Sequence, residues 1–155
     1  MARCTASLLA RSVSVDPFTN TLSAIDIAEN LGIGAAEIPA ASEEAPNLIT
    51  PFTWVFVAFF LRDDLAVPEE FTGRLTILSP KGRAFPGPEQ RIDLAGATNA
   101  RSLTVIPSFP YTGNGVYRLR YELRRSDQWL TVSECPVPVT VTTHTAETPT
   151  ATATS

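Results

Sequence analysis

The chain has 155 residues, enough for one domain that buries roughly 70% of the surface its unfolded form exposes. Its net charge is −4, its charged fraction 18% and its pI near 5.0, so no positive field is available to attract nucleic acid or an anionic membrane. Two cysteines, Cys4 and Cys135, and a lone histidine, His144, show no metal-ligand spacing; no metal and no other cofactor is expected.

Residues 3–15 and 21–29 read as two strands joined by Asp16-Pro17-Phe18-Thr19-Asn20, where proline presets φ and the Asp and Asn side chains bond locally and tolerate turn geometry. The apolar start is a strand rather than a signal peptide, because Arg11 interrupts it and no small-residue cleavage site follows. With no export signal, a cytoplasmic location and two buried, reduced cysteines are expected. In the second strand Leu22, Ala24, Asp26 and Ala28 share a face, which puts a carboxylate at mid-strand that is solvated or bonded to backbone.

Residues 30–51 contain three prolines and two glycines and read as a long loop or insertion. The next ten residues, 52–61 (FTWVFVAFFL), are apolar on both faces of an extended chain: Trp54, Phe56, Ala58 and Phe60 point one way, and Val55, Val57, Phe59 and Leu61 the other. The run is too short to span a bilayer as a helix, which needs about 20 residues. One face belongs to the core, and the second needs its own cover. Two covers are open: the preceding loop folded back through Leu31, Ile33, Ile38, Leu48 and Ile49, or a protein partner such as a second subunit. Trp54, Val55, Phe56, Val57, Phe59, Phe60 and Leu61 are therefore the candidate interface.

An acidic link, 62–70, leads to a strand at 71–79, a Pro80-Lys81-Gly82 turn, and short strands at 90–94 and 101–106. Asp63, Asp64, Glu69 and Glu70 lack calcium-loop spacing and read as a solvated acidic segment. The loop 107–115 (PSFPYTGNG) sets Phe109 and Tyr111 between prolines and glycines; with Trp129 they form a candidate carbohydrate or small-ligand site, against the alternative that they plug the end of the core. Residues 116–125 (VYRLRYELRR) alternate strictly, with Tyr117, Leu119, Tyr121 and Leu123 inward and Arg118, Arg120, Glu122 and Arg124 outward on a wet face with cross-strand pairing. Residues 129–133 and 136–143 close the pattern. Pro136 and Pro138 remove two donors from one lateral side, which marks an edge strand blunted against adding another. The tail 144–155 (HTAETPTATATS) has almost no apolar bulk and reads as disordered.

No G-x-S-x-G elbow is present, the lone His144 opens the tail, and Gly32-Ile33-Gly34 lacks the third glycine and the lysine of a phosphate loop. No catalytic residue is nominated and the chain is read as a non-enzyme.

LLARSVSVDPFTNTLSAIDIAENL and GVYRLRYELRRSDQWL together resemble a group of uncharacterised bacterial β-sandwich proteins. Asn20 to Asp26 and Gly115-Val116-Tyr117 fall at that group's strand-turn and G-x-Y positions, over about residues 3–143. The resemblance implies an immunoglobulin-like sandwich in a bacterial cytoplasm and transfers no active site.

The expected fold is thus all-β, an immunoglobulin-like antiparallel sandwich of about seven to nine strands in one domain, 1–143. The expected role is a non-catalytic protein-interaction or homo-oligomeric assembly module, with no nucleic acid and no membrane as partner; ligand binding by the aromatic loop is the alternative.

Overall fold

Alternation of apolar and polar residues, punctuated by proline and glycine, commits the chain to strands. The computed structural model, which describes residues 2–35, 37, 40–50 and 52–143, is a β-sandwich with no helix. Twelve strands occur among the described residues, more than the seven to nine expected: β1 (Arg3–Val15), β2 (Leu22–Ile27), β3 (Leu31–Ala35), β4 (Asn47–Ile49), β5 (Trp54–Leu61), β6 (Glu70–Leu78), β7 (Ala84–Pro86), β8 (Gln90–Asp93), β9 (Asn99–Ile106), β10 (Phe109–Tyr111), β11 (Gly115–Arg125) and β12 (Gln128–Thr143). The excess comes from short pieces, and 128–143 is one strand rather than two.

One sheet runs β2-β1-β5-β9. The facing sheet runs β3-β12-β11-β6-β7, with β8 also on β6, and β10 and β4 form a small ribbon. Tyr117, Leu119, Tyr121 and Leu123 of β11 are buried against Phe56, Ala58 and Phe60 of β5. Phe56 stacks on Tyr121 with centroids 6.2 Å apart and planes 5° from parallel, and Phe60 sits 5.4 Å from the same ring. The Tyr121 hydroxyl donates to Ser102 Oγ at 2.8 Å, and Ser102 donates to Gln90 Oε1 at 2.5 Å, so a buried polar chain ties β11 to β9 and β8. Gly73 is glycine because the Tyr121 ring lies across it; a Cβ there would come within 2.6 Å of Tyr121 Cε1. On the wet face of β11, Arg120 meets Glu134 at 2.5 Å and Glu122 meets Arg74 at 2.8 Å, so these arginines are paired across strands.

The segment 30–51 does not fold back over the outer face of β5. Leu31 and Ile33 lie in β3, which adds in parallel to Val139–Thr143 of β12, while Leu48 and Ile49 lie in β4 on β10. Ile38 lies outside the described residues. Between those strands Glu43 accepts from Ser79 Oγ at 2.6 Å and Thr112 Oγ1 at 3.0 Å, which holds the segment at the turn after β6. Partial burial pushes the Glu43 carboxyl up, but the hydrogen bonds from Ser79, Thr112 and the Lys81 amide outweigh it and hold the group below the usual carboxylate range.

Residues 136–143 are not the edge strand expected: β12 lies between β11 and β3, and Val139–Thr143 pair with β3. Pro136 and Pro138 pair with Arg118 and Val116 of β11, and among the described residues their other side takes no strand. From Val139 onward the donors return and β3 attaches, so the edge is blunted only up to Pro138. The tail 144–155 lies outside the described residues. Among those described, no helix is long and apolar enough to cross a membrane.

Asp26 is exposed and takes φ +54° one residue before the end of β2. The β1–β2 register holds at Ala10↔Ile27 and Ser12↔Ile25 but carries no pairing between Arg11 and Asp26, so the hairpin bends there. Asp tolerates the left-handed region and β-branched residues do not. Asp26→Val is expected to cost about 1–2 kcal/mol in urea denaturation, with Asp26→Gly near neutral; equal costs for the two would remove the bend as the reason.

Candidate functional site

The second face of β5 is where a partner was expected, and the chain covers much of it itself. Val57 pairs with Leu8 of β1 and Leu103 of β9, and Val57 and Ala10 are fully buried although they point away from the facing sheet. The cover is the opening hairpin. Were β1 and β2 straight, the turn after Val15 would lie roughly 17 Å beyond Ala10, at five residues of about 3.3 Å each. Arg101, opposite Phe59 toward the other end of β5, would then stand roughly 30 Å from that turn. Instead Arg101 Nη1 donates to the Asn20 carbonyl at 2.9 Å and Nη2 to Asn20 Oδ1. The hairpin therefore doubles back at Arg11 and Asp26 and lies over the outer face. Val13, Leu22 and Ala24 on one of its sides are half-buried, while Ser12, Ser14, Ser23 and Ile25 on the other are exposed.

This geometry redistributes the candidate interface. Phe56, Val57 and Phe60 are buried within the chain, and Trp54, Val55, Phe59 and Leu61 are half-buried, so this face is not a bare platform awaiting a second subunit. The aromatic ligand loop is corrected as well. Phe109 and Tyr111 are buried in β10; Phe109 lies 5.0 Å from Phe52 and 4.9 Å from Tyr117, so it plugs the core. Burial pushes the Tyr111 phenol up, and its hydroxyl donates to Asn114 Oδ1 at 2.9 Å. Trp129 pairs with Arg124 at the far end of β11, where the Arg74 guanidinium lies 4.0 Å over its ring. The three aromatics do not converge.

What the molecule presents instead is Phe18, 96% exposed at the tip of the folded-back hairpin. The amides around it are bonded within the turn. Asp16 Oδ1 accepts from the Phe18 and Thr19 amides at 2.8 and 2.9 Å, the Asn20 amide donates to the Asp16 carbonyl at 2.9 Å, and Asn20 takes φ +56°. The Thr19 and Phe18 amides hold the Asp16 carboxyl below its usual range. Sequence reading placed Phe18 only in a turn; a large aromatic flanked by Pro17 and Thr19, with no apolar neighbour to pack on, was the available signal.

An apolar groove of about 250 Å³ opens where the sandwich is unclosed between β9 and β7, lined by Leu48, Leu75, Phe85, Pro86, Val105 and Pro107 among others. Leu48 and Val105 are exposed at its rim. A second cleft, about 640 Å³, lies between the hairpin turn and the ends of β5 and β9, with Thr5, Asn20, Phe59, Asn99 and Arg101 in its walls. Among the described residues no group of three or more His, Cys, Asp or Glu side chains could hold a metal ion. Asp63 meets Arg3 at 3.4 Å and Glu70 meets Arg91 at 2.5 Å. Cys4 and Cys135 are free and half-buried, and burial pushes both thiols up.

No protein-family model and no curated protein matches the chain.

Proposed function

We propose that this chain is a non-catalytic protein-interaction or assembly module of the cytoplasm, an immunoglobulin-like member of the uncharacterised bacterial sandwich group it resembles. The observation that carries the reading is Phe18: an aromatic side chain left 96% exposed on a turn whose amides are bonded within it. A rigid apolar projection loses little freedom on docking, and aromatic anchors seated in pockets dominate many interfaces. The contact surface thus moves from the second face of β5 to the hairpin tip and the apolar groove. Two half-buried cysteines with no disulfide between them accord with a reducing compartment. The test is recovery of the tagged chain from its host after cross-linking, beside Phe18→Ser. The expected result is a defined protein partner, a second copy included, that the variant loses; equal recovery by both chains contradicts the reading.

A second reading, small-ligand binding, is favoured by the cleft of about 640 Å³ rather than by the loop 107–115. Its walls bring Arg101, Asn20, Asn99 and Thr5 around Phe59, with no acidic side chain among the described residues, which suits a small polyhydroxylated or carboxylate ligand. Ligand-observed NMR against sugars and sugar acids is expected to give a binder that Arg101→Ala loses; an empty screen contradicts it.

A further inference from the structure

We propose that the Phe18 turn of one copy of this chain seats in the apolar groove between β7 and β9 of a second copy, so that copies join head to tail. The inference rests on the interaction-module reading and names its partner. Four observations carry it. First, the parts match in size and character: the groove measures about 250 Å³ and no charged side chain among the described residues lines it. A cavity of about 150 Å³ lined by apolar side chains holds a benzene ring, so the Phe18 ring fits with room for part of Pro17.

Second, the two parts cannot meet within one molecule. The turn is tied to Arg101 near the start of β9, whereas the groove takes Val105, Ile106 and Pro107 at its end. Four to six residues of strand separate them by roughly 13–20 Å, and a turn fixed on one side of that gap cannot reach the other. A Phe18 seated in the groove therefore comes from another copy.

Third, neither part carries a single-sign field that would repel a like copy: the turn holds Asp16 beside the Arg101 guanidinium, and at the groove Arg83, 5.2 Å from the ring centroid of Phe85, donates to the Glu43 carbonyl with Glu44 nearby.

Fourth, the surfaces are different patches of the same chain, so the contact is heterologous: each copy keeps a free turn and a free groove, and the contact repeats into a ring or a filament. One aromatic side chain buries about 150–250 Å², well short of the roughly 1,000 Å² of a stable interface. Association is accordingly expected near 0.1 mM protein, about the weak, transient class.

Sedimentation velocity between about 0.01 and 1 mM tests this. Wild-type chain should sediment faster with concentration. Phe18→Ser, which lacks the ring, and Leu48→Glu, which blocks the groove rim, should each stay monomeric with unchanged circular dichroism. Mixed in equal amounts they should form a heterodimer and nothing larger, because only one intact turn meets one intact groove. Val105→Glu, at a second exposed rim position, should replace Leu48→Glu with the same outcome. A wild-type chain that stays monomeric at 1 mM, variants that associate as wild type does, or a mixture that stays monomeric would each overturn the proposal. If wild type stays monomeric while Phe18→Ser still loses a host protein, head-to-tail assembly fails and the interaction-module reading survives.

Discussion

Tyr121→Ala is expected to destabilise the fold by about 3–5 kcal/mol, the usual cost of truncating a fully buried aromatic, seen as a fall in the urea midpoint and in Tm by roughly 6–20 °C. Tyr121 is fully buried, stacks on Phe56, borders Phe60 and crosses Gly73, so alanine opens a cavity that these three neighbours on two strands cannot close. Its hydroxyl also ends the chain through Ser102 to Gln90. Tyr121→Phe keeps the ring and removes only the hydroxyl, at a cost of about 1 kcal/mol. The two substitutions separate packing from polar tethering. A loss under about 1 kcal/mol for the alanine variant would mean that the two sheets do not meet at this ring.

The second large effect distinguishes a covered β5 from a bare one. Val57→Asp is expected to cost about 3–5 kcal/mol in the isolated chain, because a carboxylate would enter a fully buried apolar site with no partner to pair it. Val105→Asp, on the same side of the sheet two strand positions away from the cover and 64% exposed, is expected to change stability by less than about 0.5 kcal/mol. Were the outer face waiting for a second subunit, both substitutions would be mild in the monomer and both would abolish an oligomer. Urea denaturation of the two variants at low concentration decides between these outcomes.

Much of the fold was legible because it rests on strong local periodicity. The inward set Tyr117, Leu119, Tyr121 and Leu123 follows from strict alternation, and the two-faced character of Trp54 to Leu61 follows from its unbroken apolar run. What escaped has long-range or single-residue causes. Leu31-Gly32-Ile33-Gly34-Ala35 pairs in parallel with Val139 to Thr143, more than a hundred residues later, and its glycines and small residues carry little strand signal of their own. β4, β7 and β10 are three residues each, too short for a period, and β7 and β10 contain proline. The cover over β5 was hidden for another reason. Residues 3–15 and 21–29 read as an ordinary hairpin, and periodicity is blind to the bend at Asp26 that turns it back. The site followed the same logic: Phe109 and Tyr111 looked exposed because loops are, yet both pack, whereas Phe18 sat in a turn whose position in space depends on that bend.

The central claim is that the hairpin doubles back across β5, since this covers the apolar face, creates the cleft and carries Phe18 to the start of β9. A spin label on Thr19→Cys, with Cys4 and Cys135 replaced by serine, tests it through paramagnetic broadening of backbone amides. Thr19 is exposed, so the label leaves the fold intact. The folded-back hairpin predicts strong broadening at Asn99, Ala100 and Arg101, next to Asn20, with Trp54 and Val105 affected less. A straight hairpin would leave Asn99 to Arg101 sharp, and that spectrum would contradict the account.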